Sequence, residues 1–389
     1  MLRNAMIIGA SVLAVGVIIY TQFGEDVPRY VFAPTGSSIP IVENLDAFIP
    51  EDLEPNSPPL IKTVIEGLAV PWDLVFLPDS SFLVTERPGS IRRVMPNGNS
   101  VRIEVPNIQS TGEGGLLGIA LHPRFAENQF IYLYQTSGSG NDLHNKIVRF
   151  RFDKDILKDP RVIVDQIPGA IYHDGGELAF GPDGYLYATA GDAGRSDLAQ
   201  NPDSLAGKVL RMTDEGKSAP GNPFETLVYS YGHRNGQGLA WDSEGRLWAT
   251  EHGRSGVTSG YDEVNRIESG KNYGWPTIQG SAQKEGLVTP QIQSGEKETW
   301  APSGIAIVGD RLFFVGLRGE SLYEVQIQKD GNLDVSSAKA YFRGVYGRLR
   351  GVVLGPDGAL YLTTSNTDGR GFPKENDDRV LRVDLKALK

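Results

Sequence analysis

The chain contains no cysteine. That excludes disulfides, thiolate-bound zinc, iron–sulfur clusters and cysteine nucleophiles, and a chain of this length can bury a sizeable core without cross-links. A basic excess is also missing. The 38 Lys and Arg stand against 48 Asp and Glu, a formal net charge of −10. With no surplus of cations to displace counterions from phosphates, no nucleic-acid partner is expected. Helical periodicity is nearly absent from the body of the sequence, which fits a fold built of strands.

Glycine and proline, by contrast, are plentiful: 47 Gly and 24 Pro in 389 residues signal many tight turns and therefore many short elements. The single long apolar run lies at the start, from Ala5 to Tyr20 after Arg3, and is ended by Gln22, Glu25 and Asp26. Its length sits near the lower limit for a membrane-spanning helix and also suits a secretory signal. Thr21-Gln22-Phe23 makes a poor cleavage sequence, which favours an uncleaved anchor over a cleaved signal. The charge pattern places the bulk of the chain outside the cytoplasm, periplasmic or at the cell surface. The chain therefore divides into an N-terminal apolar helix (1–23), a tether rich in Pro, Ser and acids (24–59) and one domain (60–389).

Within that domain one idea repeats: an apolar strand, a tight turn, a second apolar strand. Leu178-Ala-Phe-Gly-Pro-Asp-Gly-Tyr-Leu-Tyr187 and Val353-Leu-Gly-Pro-Asp-Gly-Ala-Leu-Tyr361 are near copies, and looser ones begin near residues 74, 119, 239 and 305. Asp-Gly between alternating apolar runs is a strong hairpin signal. The spacing approaches the roughly 40–50 residues of a propeller blade, with longer intervals read as inserted loops. Six repeats predict an all-β fold, a six-bladed β-propeller. A β-sandwich also has short strands but needs no long-period repeat.

Polar clusters border these hairpins: Gly112-Glu113-Gly-Gly-Leu-Leu-Gly118, Tyr172-His173-Asp-Gly-Gly176, Gly191-Asp192, Gly232-His233-Arg234-Asn235-Gly-Gln237-Gly238, Glu251-His252-Gly253, Leu317-Arg318-Gly319 and Gly347-Arg348-Leu-Arg350-Gly351. Propeller strands converge on an axial channel, so distant loops can share one site. An Arg-x-Arg entering a strand puts both guanidiniums on one face. With Arg234 and Arg318 they would surround the channel with cations that repel one another unless an anion fills the space. Planar bidentate donors suit a multiply carboxylated ligand.

The ordered set of motifs, with Asp-Glu-Val-Asn at 262–265 and Asn-Tyr-Gly-Trp-Pro at 272–276 added, resembles the soluble PQQ-dependent sugar dehydrogenases, especially the aldose sugar dehydrogenase branch, from about Leu68 to Leu385. The resemblance implies a six-bladed propeller holding PQQ, a tricarboxylated quinone, with calcium above the channel. It implies that His173 is the general base for the sugar's anomeric hydroxyl, Asp192 its orienting carboxylate, and Arg234 the cation beside the reacting quinone oxygen. Asn235, His252, Arg318, Arg348 and Arg350 match cofactor-binding positions, Arg318 standing where many relatives have Lys. Glu113 and Tyr172 match positions that approach the sugar. Backbone carbonyls of Gly253 and Arg254 match the calcium ligands, with Arg254 where Pro is common. Glu263 and the Tyr273 carbonyl resemble a second calcium site. The implied partners are an aldose, a quinone or redox-protein electron acceptor, and a membrane through the N-terminal segment.

Two other readings remain open. A lactonase-type hydrolase propeller would gather acidic side chains on a channel metal, and a non-catalytic sugar- or protein-binding propeller would keep only the scaffold. Trp72, Trp241, Trp248 and Trp275 read as packing between blades, and His233 as packing under its own loop.

Overall fold

The computed structural model describes residue 39 and residues 60–254 and 260–388. The apolar run and nearly all of the expected tether lie outside these residues, as does most of the loop after Arg254.

Twenty-four strands form six four-stranded antiparallel sheets. The first strand, β1 (Ile61–Ile65), belongs to the last blade. Five blades are then built from consecutive strands: β2–β5 over 71–104, β6–β9 over 116–168, β10–β13 over 178–231, β14–β17 over 236–293 and β18–β21 over 302–341. The sixth contains β22 (Leu349–Leu354), β23 (Leu360–Thr364) and β24 (Val380–Val383), and β1 pairs with β24 as its outer edge, Ile61 opposite Val383. This closure buries the edge that an open ring would leave unpaired. All six repeat positions predicted from the sequence fall on the innermost strand of a blade.

The near-copy turns show why the repeat has its form. Gly184 and Gly358 adopt φ of +79° and +75°, where a side chain would be strained. The Asp183 carboxylate accepts the Tyr185 N–H and the Tyr187 hydroxyl, tying the turn to the returning strand. The six apolar clusters lie between neighbouring blades. Trp241 and Trp248 pack there as expected, and Ile39 is buried in the cluster between the fourth and fifth blades. The inner strands enclose an axial cavity of about 410 Å³ lined by residues of every blade, among them Trp72, Asp73, Glu177, Gln237, Ser303 and Arg350. Because strands alternate in direction, the loops preceding the innermost strands and those joining the second strand to the third gather at one end of the channel. Every expected site residue but Tyr273 lies on those loops or where they meet the strands.

Candidate functional site

His173 lies on the loop entering β10, with its backbone at φ +62°. A non-glycine residue there is strained, and such strain persists only where surroundings enforce it. Here the His173 N–H donates to Glu113 Oε2 at 2.9 Å and its carbonyl accepts the Ala193 N–H at 3.1 Å. Gly191 makes this approach possible, since a Cβ there would stand 1.9 Å from the His173 carbonyl oxygen. The imidazole Nδ1 lies 2.7 Å from Asp192 Oδ1. A carboxylate only accepts, so Nδ1 carries a proton, and in the neutral ring the lone pair lies on Nε2. Tyr172 sets its half-exposed ring edge-on to the imidazole, with centroids 4.9 Å apart.

Asp192 is buried, which alone would raise its pKa, yet the His173 ring and N–H donors from Gly194 and Trp275 hold it below its ordinary value. The loop behind it is fixed by Lys208, a buried ammonium that donates to the carbonyls of Leu198, Ala199 and Ala206.

Both carboxylate oxygens of Glu113 are engaged. One oxygen holds the His173 backbone, and the other accepts from Arg370 at 2.7 Å. Burial opposes ionisation, but Arg370, the His173 N–H and the nearby His252 ring bring its pKa down to about 2 from 4.5. The folded value lies below the unfolded one. The stability this carboxylate lends is therefore complete above the unfolded pKa and is lost as pH falls toward the folded pKa. We expect Glu113→Gln to be less stable than the parent at neutral pH. Urea unfolding at a series of pH values should show the difference closing between about pH 4.5 and pH 2. A pH-independent difference would contradict this role.

Arg234 is buried. Its backbone N–H donates to Glu251, its guanidinium donates to the His252 carbonyl at 3.3 Å, and that guanidinium lies 5.3 Å over the Trp275 ring. Glu251 also holds His233, which bonds Ser230 and stacks on Tyr273 under the loop. Asn235 uses its Oδ1 for the Gly175 N–H and Gln237, while its buried Nδ2 has no partner among the described residues. His252 Nε2 is likewise buried without a partner, and burial brings that ring's pKa down to about 3, so it stays neutral.

Arg318, Arg348 and Arg350 do converge, and two arginines not singled out in the sequence, Arg87 and Arg370, join them. Burial lowers the proton affinity of Arg87, Arg318 and Arg350, and repulsion from neighbours in this group lowers it further. Arg348 donates twice to Asp368 and once to the Leu317 carbonyl, and Arg350 donates to Gln237 and Ser303 over the Trp72 ring. Two carboxylates, Asp368 on Arg348 and Glu113 on Arg370, thus offset part of the cluster, and the remainder is a field suited to an anion.

Among the described residues no group of three or more His, Asp or Glu side chains gathers as a metal site. Gly253 is held by its N–H on Asp262, which also ties down Thr299, Trp300 and Ala301. The Arg254 carbonyl accepts the Gly260 N–H at 3.2 Å, so this expected ligand is already engaged. Glu263 bonds Asn265, and burial with the nearby Glu251 raises its pKa to about 8. The Tyr273 hydroxyl is spent on Arg266 and Glu268.

One tryptophan departs from expectation. Trp72 packs in an apolar cluster between blades as expected, with Arg350 over its ring, whereas Trp275 belongs to the site rather than to packing between blades. After β16 (Glu263–Ile267) the chain climbs parallel to the outer strand of the third blade. The Gly270, Tyr273 and Trp275 N–H groups donate to Tyr229, Tyr231 and Gly232, and this ladder carries the indole to Asp192. Periodicity gives no sign of such an excursion. The available signal was the place of Trp275 in the Asn-Tyr-Gly-Trp-Pro motif at 272–276.

Residues 68–374 match the family model described as glucose/sorbosone dehydrogenase. An aldose sugar dehydrogenase of Escherichia coli is 31% identical over 344 residues, covering 79% of this chain and 91% of that protein. Quinoprotein glucose dehydrogenase B of Acinetobacter calcoaceticus is 34% identical over 255 residues, 56% of this chain and 52% of that one. The PQQ-bound aldose sugar dehydrogenase of Streptomyces coelicolor superposes with a TM-score of 0.76 at 43% identity, covering 84% of this chain and 99% of that structure. With a sixfold propeller, an imidazole–carboxylate pair and a cationic cluster at one end of its channel, the chain belongs to the glucose/sorbosone dehydrogenase family, the soluble PQQ-dependent sugar dehydrogenases.

Proposed function

We propose that the chain is a PQQ- and calcium-dependent dehydrogenase that oxidises the C1 hydroxyl of aldoses to lactones. The observation that carries this reading is the His173–Asp192 pair, its Nε2 unencumbered, beside a converging set of guanidiniums.

The residues fit the cofactor. The unpartnered Asn235 Nδ2 and His252 Nε2 are buried polar atoms that a ligand would satisfy, and the arginine cluster suits three carboxylates. Asn235, His252, Arg318, Arg348 and Arg350 would hold PQQ, which supplies the two-electron acceptor for the sugar's C1 hydride. Calcium would be held by the Gly253 carbonyl, with Arg254 joining if Gly260 releases it, together with oxygens of the cofactor. Glu263 and the Tyr273 carbonyl are the candidate pair for a second calcium. Its charge would bring the raised Glu263 carboxyl back to the ionised form.

The chain's own groups then move one proton. His173 Nε2 takes it from the anomeric hydroxyl as the C1–H bond breaks and the C1–O double bond forms. Asp192 keeps Nδ1–H aimed and stabilises the resulting imidazolium. Arg234 sets positive charge where electron density accumulates. Tyr172 and the rim around Arg370 face the approaching sugar. A quinone or redox protein would take the electrons onward, and the N-terminal segment would hold the enzyme at a membrane outside the cytoplasm.

The hydrolase alternative needs acidic groups converging on a metal, and the described residues gather cations instead. The deciding experiment adds PQQ and calcium to purified protein and follows dye reduction with glucose and other aldoses. Sugar-dependent reduction that disappears with a calcium chelator is the expected result. No reduction with any aldose would overturn the enzyme reading.

A further inference from the structure

Asp192 has two carboxylate oxygens, and different groups hold them. Oδ1 faces His173 Nδ1 and the Gly194 N–H, while Oδ2 accepts the Trp275 indole N–H at 2.8 Å. The same indole offers its face to the Arg234 guanidinium, 5.3 Å from the ring centroid. Trp275 is itself pinned at the backbone: its N–H donates to Gly232, and its carbonyl accepts Gln200 Nε2, which together with Gln200 Oε1 also bonds Asn272. We propose that Trp275 is a positioning residue for the base. Its N–H fixes the carboxylate behind His173 while its ring fixes the guanidinium, so one side chain sets the relative placement of both.

The chemistry is specific to indole. Among side chains it alone combines a donor without acceptor character and a broad π face. A hydroxyl at this place could turn its lone pair toward the carboxylate, and phenylalanine would keep the face but lose the donor. Donation to Oδ2 also draws charge from the carboxylate. Without it Asp192 would attract the His173 proton more strongly and could rotate about its χ2. The other charged and titratable groups facing the pair are Glu113, on the His173 backbone, Arg234 and the neutral His252. None of them supplies a hydrogen bond to Oδ2.

The inference rests on the dehydrogenase reading for its consequence but not for its test. Trp275→Phe in the full-length protein, free of PQQ, should raise the His173 titration midpoint, followed by NMR of its ring protons, by about half a unit to one unit. In the unaltered protein the Trp275 indole N–H resonance should titrate with the same midpoint as His173, a readout that needs no variant to fold. Loaded with PQQ and calcium, the variant should lose about tenfold in kcat/KM, with the acid limb of its pH profile displaced to higher pH. A Phe variant whose His173 titrates as in the parent overturns the proposal, as does an indole resonance that stays constant while His173 titrates. A parent protein that oxidises no aldose would remove the dehydrogenase reading, and the two titrations would still decide the role of Trp275.

Discussion

His173→Ala should bind PQQ as the parent does and lose about 10²–10⁴-fold in kcat. The substitution removes the imidazole and little else. The backbone at this position is held from both sides, by Glu113 on its N–H and Ala193 on its carbonyl, and neither contact involves the side chain. Asp192 keeps the Gly194 and Trp275 donors, so no unsatisfied carboxylate is left behind. No neighbouring imidazole can take over. His252 is the nearest candidate, and its pKa near 3 makes it a feeble proton acceptor. The check is a steady-state assay beside a PQQ titration of the same preparation. Parental turnover in the alanine variant would place the base elsewhere. Loss of PQQ along with turnover would make His173 a binding residue.

Asp192→Asn should be nearly as damaging, about 10²–10⁴-fold in kcat, for a reason visible in its hydrogen bonds. Three donors point at this carboxylate: His173 Nδ1–H and the Gly194 N–H at Oδ1, and the Trp275 indole at Oδ2. An amide has one acceptor oxygen and one NH₂. If the oxygen replaces Oδ1, the NH₂ opposes the indole N–H. If the amide turns over, the NH₂ opposes Gly194 and drives His173 to the tautomer with its proton on Nε2, where it cannot act as base. Either arrangement buries an unmade hydrogen bond, costing about 1–3 kcal/mol, and both withdraw the negative charge that stabilises the imidazolium. The measurement is kcat with saturating PQQ and calcium, and a loss below tenfold would contradict the assigned role.

The propeller was legible because its signal is local and repeated. Asp183-Gly184 and Asp357-Gly358 each mark a hairpin whose turn needs a left-handed residue, and the innermost strands follow at blade spacing. The closure of the ring by β1 was not legible. Its partner β24 lies more than 300 residues away, and five residues such as Ile61–Ile65 carry no mark of what they will pair with. At the site, motif-borne residues such as His173, Asp192 and Arg350 were identified and do converge. Glu113 was identified as well, but its bond to Arg370, 257 positions along the chain, and its hold on the His173 N–H were not visible in the sequence. Asp368 and Arg87 went unnoticed because isolated charges in loops usually face solvent. Only the fold shows that these two point inward, as a partner to Arg348 and as a neighbour to Arg350. Trp275 was misplaced because a climbing segment paired in parallel with the preceding blade leaves no periodic trace.

If the proposed function holds, the converging arginines bind a polycarboxylated quinone. The most direct test is a spectrophotometric PQQ titration of the calcium-loaded protein, run in parallel on the chain with Arg318, Arg348 and Arg350 replaced by Gln and checked for an intact fold by circular dichroism. Saturation at one PQQ per chain, weakened by at least about a hundredfold in the triple variant, is the predicted result. Equal affinity of the two proteins, or no saturable binding by the parent, would contradict it.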